Sequence, residues 1–157
     1  MEFKKVLCNP KANENMQRDW VPIKNPVSIG KLPETVTEEP IVLSLDKAVP
    51  NGAEEVLIYT FITSKGEGDF QRYYYNIYTS QDGRDYSQYM NIATGQDMNV
   101  INSANLWFPI KTSDRNLRVI LVPAYDPNGA KKSKIKHIAG KLQEREDWSD
   151  VFVIGYR

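Results

Sequence analysis

Side chains that could carry acid–base or nucleophilic chemistry are few in this sequence, and they stand apart. His137 is the only histidine, and the neighbouring lysines at 132, 134 and 136 would weaken it as a base. Cys8 is the only cysteine, and no base accompanies it to activate its thiol. We therefore expect a surface histidine, an inert thiol and a protein that is not an enzyme.

Carboxylate pairs of the kind used in glycoside hydrolysis occur at Glu54/Glu55, Glu67/Asp69 and Asp82/Asp85. All three pairs fall in predicted loops or at strand ends, where acidic residues are common, so we expect no catalysis from them. Gly66-Glu67-Gly68 lacks the third glycine and the following helix of a phosphate-binding loop.

Calcium is the metal that these acidic residues suit, because it prefers carboxylate and carbonyl oxygens as ligands. Asp69, Asp82 and Asp85 are weak calcium candidates, since no EF-hand spacing accompanies them. Turn-forming acids explain the same residues more simply. We therefore expect no metal site and no cofactor.

The charge balance narrows the class of partner. Lys plus Arg and Asp plus Glu number 20 each, which removes the long-range attraction to phosphate that nucleic-acid binders use. The apolar runs are too short to span a membrane, so we expect no membrane insertion. A neutral protein can associate with itself. The N-terminus lacks an apolar signal region, while the single cysteine fits a reducing compartment without excluding secretion.

The most informative residues are tyrosines on two successive predicted strands. Successive side chains of a strand point to opposite faces, so Tyr73 and Tyr75 should enter the core while Tyr74 and Tyr78 point outward. Asp82-Gly83 predicts a tight hairpin turn. The return strand should then place Tyr89 and Asn91 on the same outward surface. It should bury Tyr86, Met90 and Ile92, with Gln88 as a misfit among them.

A second polar and aromatic cluster precedes Pro109. It contains Asn105 and Trp107. Tyrosine, tryptophan and amide side chains together are typical of protein interfaces and of sugar-binding surfaces. The predicted binding residues are therefore Tyr74, Tyr78, Tyr89, Asn91, Asn105 and Trp107. Strand residues that only stabilise a sheet are the alternative for the tyrosines, and packing at a sheet edge is the alternative for Trp107.

The elements that must position these residues are about eight strands separated by turn signals. Predicted strands cover 41–45, 56–63, 72–79, 86–93, 99–108, 117–122 and 150–156. Residues 130–146 predict either an edge strand, which we favour, or a helix. The pattern predicts an all-β sandwich with jelly-roll or related Greek-key topology. We expect an irregular N-terminal arm at 1–39, packed on a single sandwich domain at 40–157.

Two functions follow as hypotheses. The first is a non-catalytic binding or assembly module that uses an aromatic sheet face, with a protein partner or a second copy of itself. The alternative is a lectin-like carbohydrate-binding domain, assisted by calcium or not. We expect no nucleic-acid partner.

Overall fold

The computed structural model describes residues 19–36, 38–65, 71–94, 99–123 and 148–157. Eight strands are present in these ranges. They are β1 (Val21–Gly30), β2 (Ile41–Ser44), β3 (Glu55–Lys65), β4 (Gln71–Gln81), β5 (Arg84–Thr94), β6 (Asn99–Pro109), β7 (Asn116–Pro123) and β8 (Ser149–Tyr156). The prediction for 130–146 lies outside the described residues.

The strands form two antiparallel sheets. The first has the order β1-β8-β3-β6 and the second has the order β2-β7-β4-β5. Strands that are distant in sequence are thus neighbours in both sheets, which is the eight-strand jelly roll. The prediction of an all-β sandwich of jelly-roll type is confirmed. β3 and β7 both lie inside their sheets, with a neighbouring strand on each side.

The core forms where the inward faces of the two sheets meet. Alternate residues of β4 enter it, and Tyr75 and Ile77 are completely buried. They belong to one apolar cluster with the completely buried Val56 and Ile58 of β3, in the other sheet. Full burial of a side chain as large as isoleucine stabilises the folded protein by about 1.5–3 kcal/mol relative to an exposed one. This inward set holds β4 in a single register, because a slip of one residue would bury the other face.

The hairpin that joins β4 to β5 has the predicted turn. Asp82 has a φ of 52° and Gly83 a φ of 73°. Positive φ at both central residues is the signature of a type I′ turn, whose twist matches that of the flanking strands. The turn pairs Gln81 with Arg84 and carries the register without interruption to Gln71 and Thr94.

Part of the predicted N-terminal arm differs from the prediction. Residues 21–30 form β1, which pairs with β8 along the edge of the first sheet. Its register shifts between Pro22 and Val27 and again between Ser28 and Gly30. Proline cannot donate to a ladder, so it is tolerated at a sheet edge and at irregular pairings. Pro22 and Pro26 are the reason that the sequence pattern does not predict this strand.

One hydrogen bond connects the two sheets along their free edges. Gln88 of β5 donates from Nε2 to the backbone carbonyl of Trp107 in β6. β5 and β6 are the last strands of their respective sheets. Gln88, the misfit of the predicted inward set, therefore has a polar partner across the sandwich. In the part of the chain that is described, no helix has the length and apolar character needed to cross a membrane.

Candidate binding face

The outer surface of the second sheet carries a group of aromatic and amide side chains that we call the tyrosine face. It consists of Tyr74, Asn76 and Tyr78 on β4 and of Tyr89 and Asn91 on β5. Tyr74 is paired with Asn91, and Asn76 is paired with Tyr89. Alternation with the buried Tyr73, Tyr75 and Ile77 directs the β4 members outward. The register thus brings four of the predicted binding residues to one surface.

The rings of Tyr74 and Tyr89 are in contact. Their centroids are 5.6 Å apart and their planes meet at 74°, an edge-to-face arrangement. The two residues are diagonal neighbours across the strand pair, a separation that only long side chains can bridge. Tyr89 is 59% exposed, while Tyr74 is partly buried. Tyr89 therefore offers open ring surface to a ligand, and Tyr74 supports it from one side.

An unpaired acceptor lies at the centre of this face. The side-chain oxygen Oδ1 of Asn76 is buried and accepts no hydrogen bond among the described residues. Asn76 stands opposite Tyr89 on β5 and opposite Ile120 on β7. A buried polar atom without a partner is costly, and few are kept in a native protein without a reason. Asn76 is not among the binding residues predicted from the sequence.

Charged residues surround Tyr78 at one end of the face. Burial raises the pKa of the Tyr78 hydroxyl, and the negative charges of Asp85 and Glu39 raise this pKa further, against the opposing effect of Arg118. Arg118 is paired with Asp114, with 3.0 Å between Nη2 and the carboxylate. Negative charge therefore prevails near the Tyr78 hydroxyl.

The opposite end of the face carries positive charge. Arg72 shares the outward parity of Tyr74 on β4 and is exposed. Together with Asn91, Tyr73 and Ile92 it lines a depression of about 190 Å³. No ion pair joins Arg72 to another residue that the structure describes, whereas Arg118 is paired. Arg72 is not among the binding residues predicted from the sequence, because alternation does not reveal which charges lack a partner.

The side of this sheet nearest β2 is aliphatic. Ile120 and Val122 of β7 lie opposite Asn76 and Tyr74 and are half-buried. Val42 of the four-residue strand β2 is 56% exposed. We call these three residues the aliphatic strip. The sequence predicts the strands at 41–45 and 117–122, but their pattern does not reveal which apolar side chains stay exposed.

The other two predicted binding residues lie on the opposite side of the molecule. Asn105 and Trp107 point outward from β6, in the first sheet, and both are exposed. The Trp107 ring meets that of Trp20 edge to face with centroids 4.0 Å apart, and the Arg157 guanidinium lies 4.8 Å from the Trp20 ring centre. These contacts make Trp107 part of a packed edge that is separate from the tyrosine face.

The outer face of the first sheet also contains aromatic residues that sequence reasoning did not select. Tyr59 stacks on Phe152 of β8, with ring centres 6.4 Å apart. Phe61 lies 6.3 Å from Tyr59 on the same strand. All three rings are partly buried. The cross-strand neighbours that produce this row could be identified only from the pairing of β3 with β8, which are distant in sequence.

The prediction that Tyr86 lies in the core is wrong. Tyr86 has inward parity, opposite the buried Thr79, yet it is 43% exposed. β5 is the edge strand of its sheet. Tyr86 lies two residues from its hairpin end, where an inward side chain can still reach solvent. Parity along a strand therefore does not ensure that the opposite sheet covers a residue.

The calcium candidates have protein partners or lie outside the described ranges. Asp82 is ion-paired with Lys111, and its carboxylate raises the pKa of that lysine. Asp85 accepts a hydrogen bond of 2.5 Å from the Ser80 hydroxyl. Asp69 lies outside the described residues. Among the residues described, no group of three or more His, Cys, Asp and Glu side chains is arranged to hold a metal ion.

Comparisons with known proteins add little to this picture. No protein-family model and no curated protein sequence matches the chain. Among solved structures, it is similar to the xylan-binding domain CBM22-2 of Xyn10C from Paenibacillus barcinonensis. The identity is 11%, the TM-score is 0.40, and the match covers 88% of this chain and 89% of the other. The tyrosine face itself is therefore the basis on which a function can be proposed.

Proposed function

We propose that this protein is a non-catalytic binding module whose tyrosine face binds a glycan. The observation that carries the proposal is the position of the exposed Tyr89 ring directly opposite Asn76, whose Oδ1 atom has no donor among the described residues. Tyr74 supports the ring edge to face at 5.6 Å. Aromatic surface and unused hydrogen-bonding groups thus occur side by side.

The chemistry of a sugar matches this arrangement. A pyranose ring presents an apolar face of C–H groups that can stack on a tyrosine ring, and a rim of hydroxyl groups that both donate and accept hydrogen bonds. An amide also does both, through its NH₂ group and its oxygen. Asn91, exposed and paired with Tyr74, and Asn76, paired with Tyr89, supply amides on either side of the rings. A glycan hydroxyl that reached Asn76 Oδ1 would satisfy the unpaired acceptor.

The test compares two tyrosines on the same strand. Tyr89→Ala removes the ring from the tyrosine face, whereas Tyr86→Ala removes an exposed ring of opposite parity. Binding to a panel of soluble polysaccharides is measured by affinity gel electrophoresis and then by calorimetry. We expect Tyr89→Ala to weaken binding about tenfold or more, the effect of losing a central aromatic contact. We expect Tyr86→Ala to bind like the wild type. Absence of binding to every glycan, or equal loss in both variants, would refute the proposal.

Self-association is a second candidate, and the aliphatic strip favours it. Val42 is 56% exposed at the edge of the sheet, beside the half-buried Ile120 and Val122. Equal numbers of acidic and basic residues mean that no net charge repels a second copy. Sedimentation velocity at increasing concentration tests this candidate. We expect a dimer that Val42→Lys disrupts, and a wild-type protein that stays monomeric at high concentration would rule it out.

A further inference from the structure

We infer that the glycan bound by the tyrosine face is anionic, and that Arg72 binds its carboxylate. This inference rests on the proposed glycan-binding function and names the class of ligand. The ligand is a polysaccharide that contains uronic acid residues.

The position of Arg72 is the first argument. It lies on β4 two residues before Tyr74, so the two side chains share the outer face. Arg72 is exposed and has no ion-pair partner in the described part of the chain. The other arginine of this face, Arg118, is bound by Asp114 at 3.0 Å. Of these two arginines, Arg72 is therefore the one that we assign to an anion.

The shape of the surface beside Arg72 is the second argument. Arg72, Asn91 and backbone or side-chain atoms of Tyr73 and Ile92 line a depression of about 190 Å³. A depression of this size has room for ordered water or for a small polar substituent. Asn91 belongs both to this depression and to the tyrosine face, where it is paired with Tyr74. A sugar stacked on the tyrosines can thus place a substituent next to Arg72.

The distribution of charge along the face gives the ligand an orientation. Arg72 stands at one end, while Asp85 and Glu39 act on the Tyr78 hydroxyl near the other. A carboxylate would be repelled at the Tyr78 end and attracted at the Arg72 end. A neutral glycan would gain nothing from this asymmetry.

A carboxylate matches the geometry of this guanidinium. The planar fork of arginine can donate two parallel hydrogen bonds to the two oxygens of a planar carboxylate. A tetrahedral sulfate ester also accepts such bonds, so sulfated glycans are the alternative source of the anion. The experiment therefore includes both anions.

The experiment uses one polymer in two charge states. Polygalacturonate and its carboxyl-reduced, neutral form are compared by calorimetry at physiological salt, where weak, distant charge effects are largely screened. Sulfated and unsulfated dextran form the second pair. The proteins are the wild type, Arg72→Gln, Tyr89→Ala and Arg84→Gln. Arg84 is exposed at the hairpin end of β5 and supplies a matched loss of one positive charge.

We expect the wild type to bind the uronate polymer about tenfold more tightly than its neutral form, which corresponds to one charge-assisted contact. Arg72→Gln should lose this preference while keeping its affinity for the neutral polymer. Arg84→Gln should keep the preference, and Tyr89→Ala should lose binding to both polymers.

The outcomes separate the inference from the proposed function. Equal binding of charged and neutral polymer by the wild type, or a preference that survives Arg72→Gln, would overturn the role of Arg72 and leave glycan binding standing. Tighter binding of sulfated dextran than of polygalacturonate, lost in Arg72→Gln, would overturn the assignment to a carboxylate. Absence of binding to every polymer would refute the proposed function itself.

Discussion

The rings of Tyr74 and Tyr89 meet edge to face across two antiparallel strands, with centroids 5.6 Å apart. Neither residue has the other as its direct partner, because Tyr74 pairs with Asn91 and Tyr89 pairs with Asn76. The diagonal contact leaves both amides between or beside the rings. The same geometry therefore contributes to the stability of the hairpin and creates the mixed aromatic and amide surface.

This ring contact should be measurable as a coupling energy. We expect a double-mutant cycle with Tyr74→Leu and Tyr89→Leu to give a coupling of about 0.5–1.5 kcal/mol in the free energy of unfolding, as edge-to-face pairs do. Urea denaturation provides the values. Tyr78→Leu with Tyr89→Leu is the control, because no ring contact between these two is described, and its coupling should be smaller. Equal coupling in both cycles would mean that the described ring contact contributes nothing specific.

Local patterns in the sequence predicted this hairpin well. Alternation from Tyr73 to Tyr78 separates buried from outward tyrosines, and Asp82-Gly83 selects a turn that keeps the register simple. Both signals act within about twenty residues, so no knowledge of the rest of the chain is needed. The outward positions of Tyr74, Tyr78, Tyr89 and Asn91 follow from these signals alone.

The features that the sequence did not predict depend on pairing between distant segments. Trp107 and Asn105 were predicted as binding residues together with the tyrosines. Their strand, β6, belongs to the other sheet. Tyr86 has the parity of a core residue, yet its place on an edge strand leaves it exposed. β1 contains prolines that argue against a central strand, and only its position at a sheet edge makes it possible. Strand order is a property of the whole fold, which local patterns do not contain.

Tyr75 should make stability depend on pH in the alkaline range. Its hydroxyl is buried and donates to the Pro33 carbonyl at 2.7 Å. Burial, with a smaller effect of Glu34, raises the pKa of Tyr75 above its ordinary value. Below the unfolded pKa of about 10 both states hold the proton, and stability does not change. Above it the unfolded chain releases the proton first, so the free energy of unfolding falls as pH rises.

The variant Tyr75→Phe tests this pH dependence. Above about pH 10 its free energy of unfolding should fall less steeply than that of the wild type, by up to about 1.4 kcal/mol per pH unit, the value for one proton. At neutral pH it should be about 1–2 kcal/mol less stable, because the Pro33 carbonyl loses its donor. Urea denaturation across the pH range measures both effects. Identical slopes in the two proteins would show that Tyr75 titrates no differently in the folded state.

Arg115 should stabilise the loop between β2 and β3, although it lies far from that loop in the sequence. Its side chain is 7% exposed and pairs with Asp46 at 3.0 Å. It also donates to the carbonyl groups of Val49 and Pro50. We expect Arg115→Met to lower the free energy of unfolding by about 2–3 kcal/mol, because the carbonyl groups of Val49 and Pro50 lose their donor.

The partner variant separates the ion pair from the backbone contacts. Asp46 is 68% exposed, so its attraction to Arg115 is screened by water. Asp46→Asn should therefore cost only about 0–1 kcal/mol. Thermal and urea denaturation of both variants measure the difference. A cost for Asp46→Asn as large as that for Arg115→Met would assign the stabilisation to the ion pair and contradict the role given to the two carbonyl groups.

Asn76 should be a site where stability has been exchanged for binding. Its buried Oδ1 lacks a donor in the described structure, and an unsatisfied group of this kind costs about 1–3 kcal/mol. Valine has a similar size and suits a strand. We expect Asn76→Val to raise the free energy of unfolding by about 1 kcal/mol, by relief of that cost, and to weaken glycan binding at the same time. Asn91→Val is the control, because Asn91 is exposed and its replacement should change stability by less than about 0.5 kcal/mol.

If Asn76→Val is instead less stable than the wild type, the amide has a structural partner and its oxygen is not reserved for a ligand. If it is more stable but binds glycans unchanged, the unpaired oxygen lies outside the binding site, and the stacking on Tyr89 must account for recognition without it.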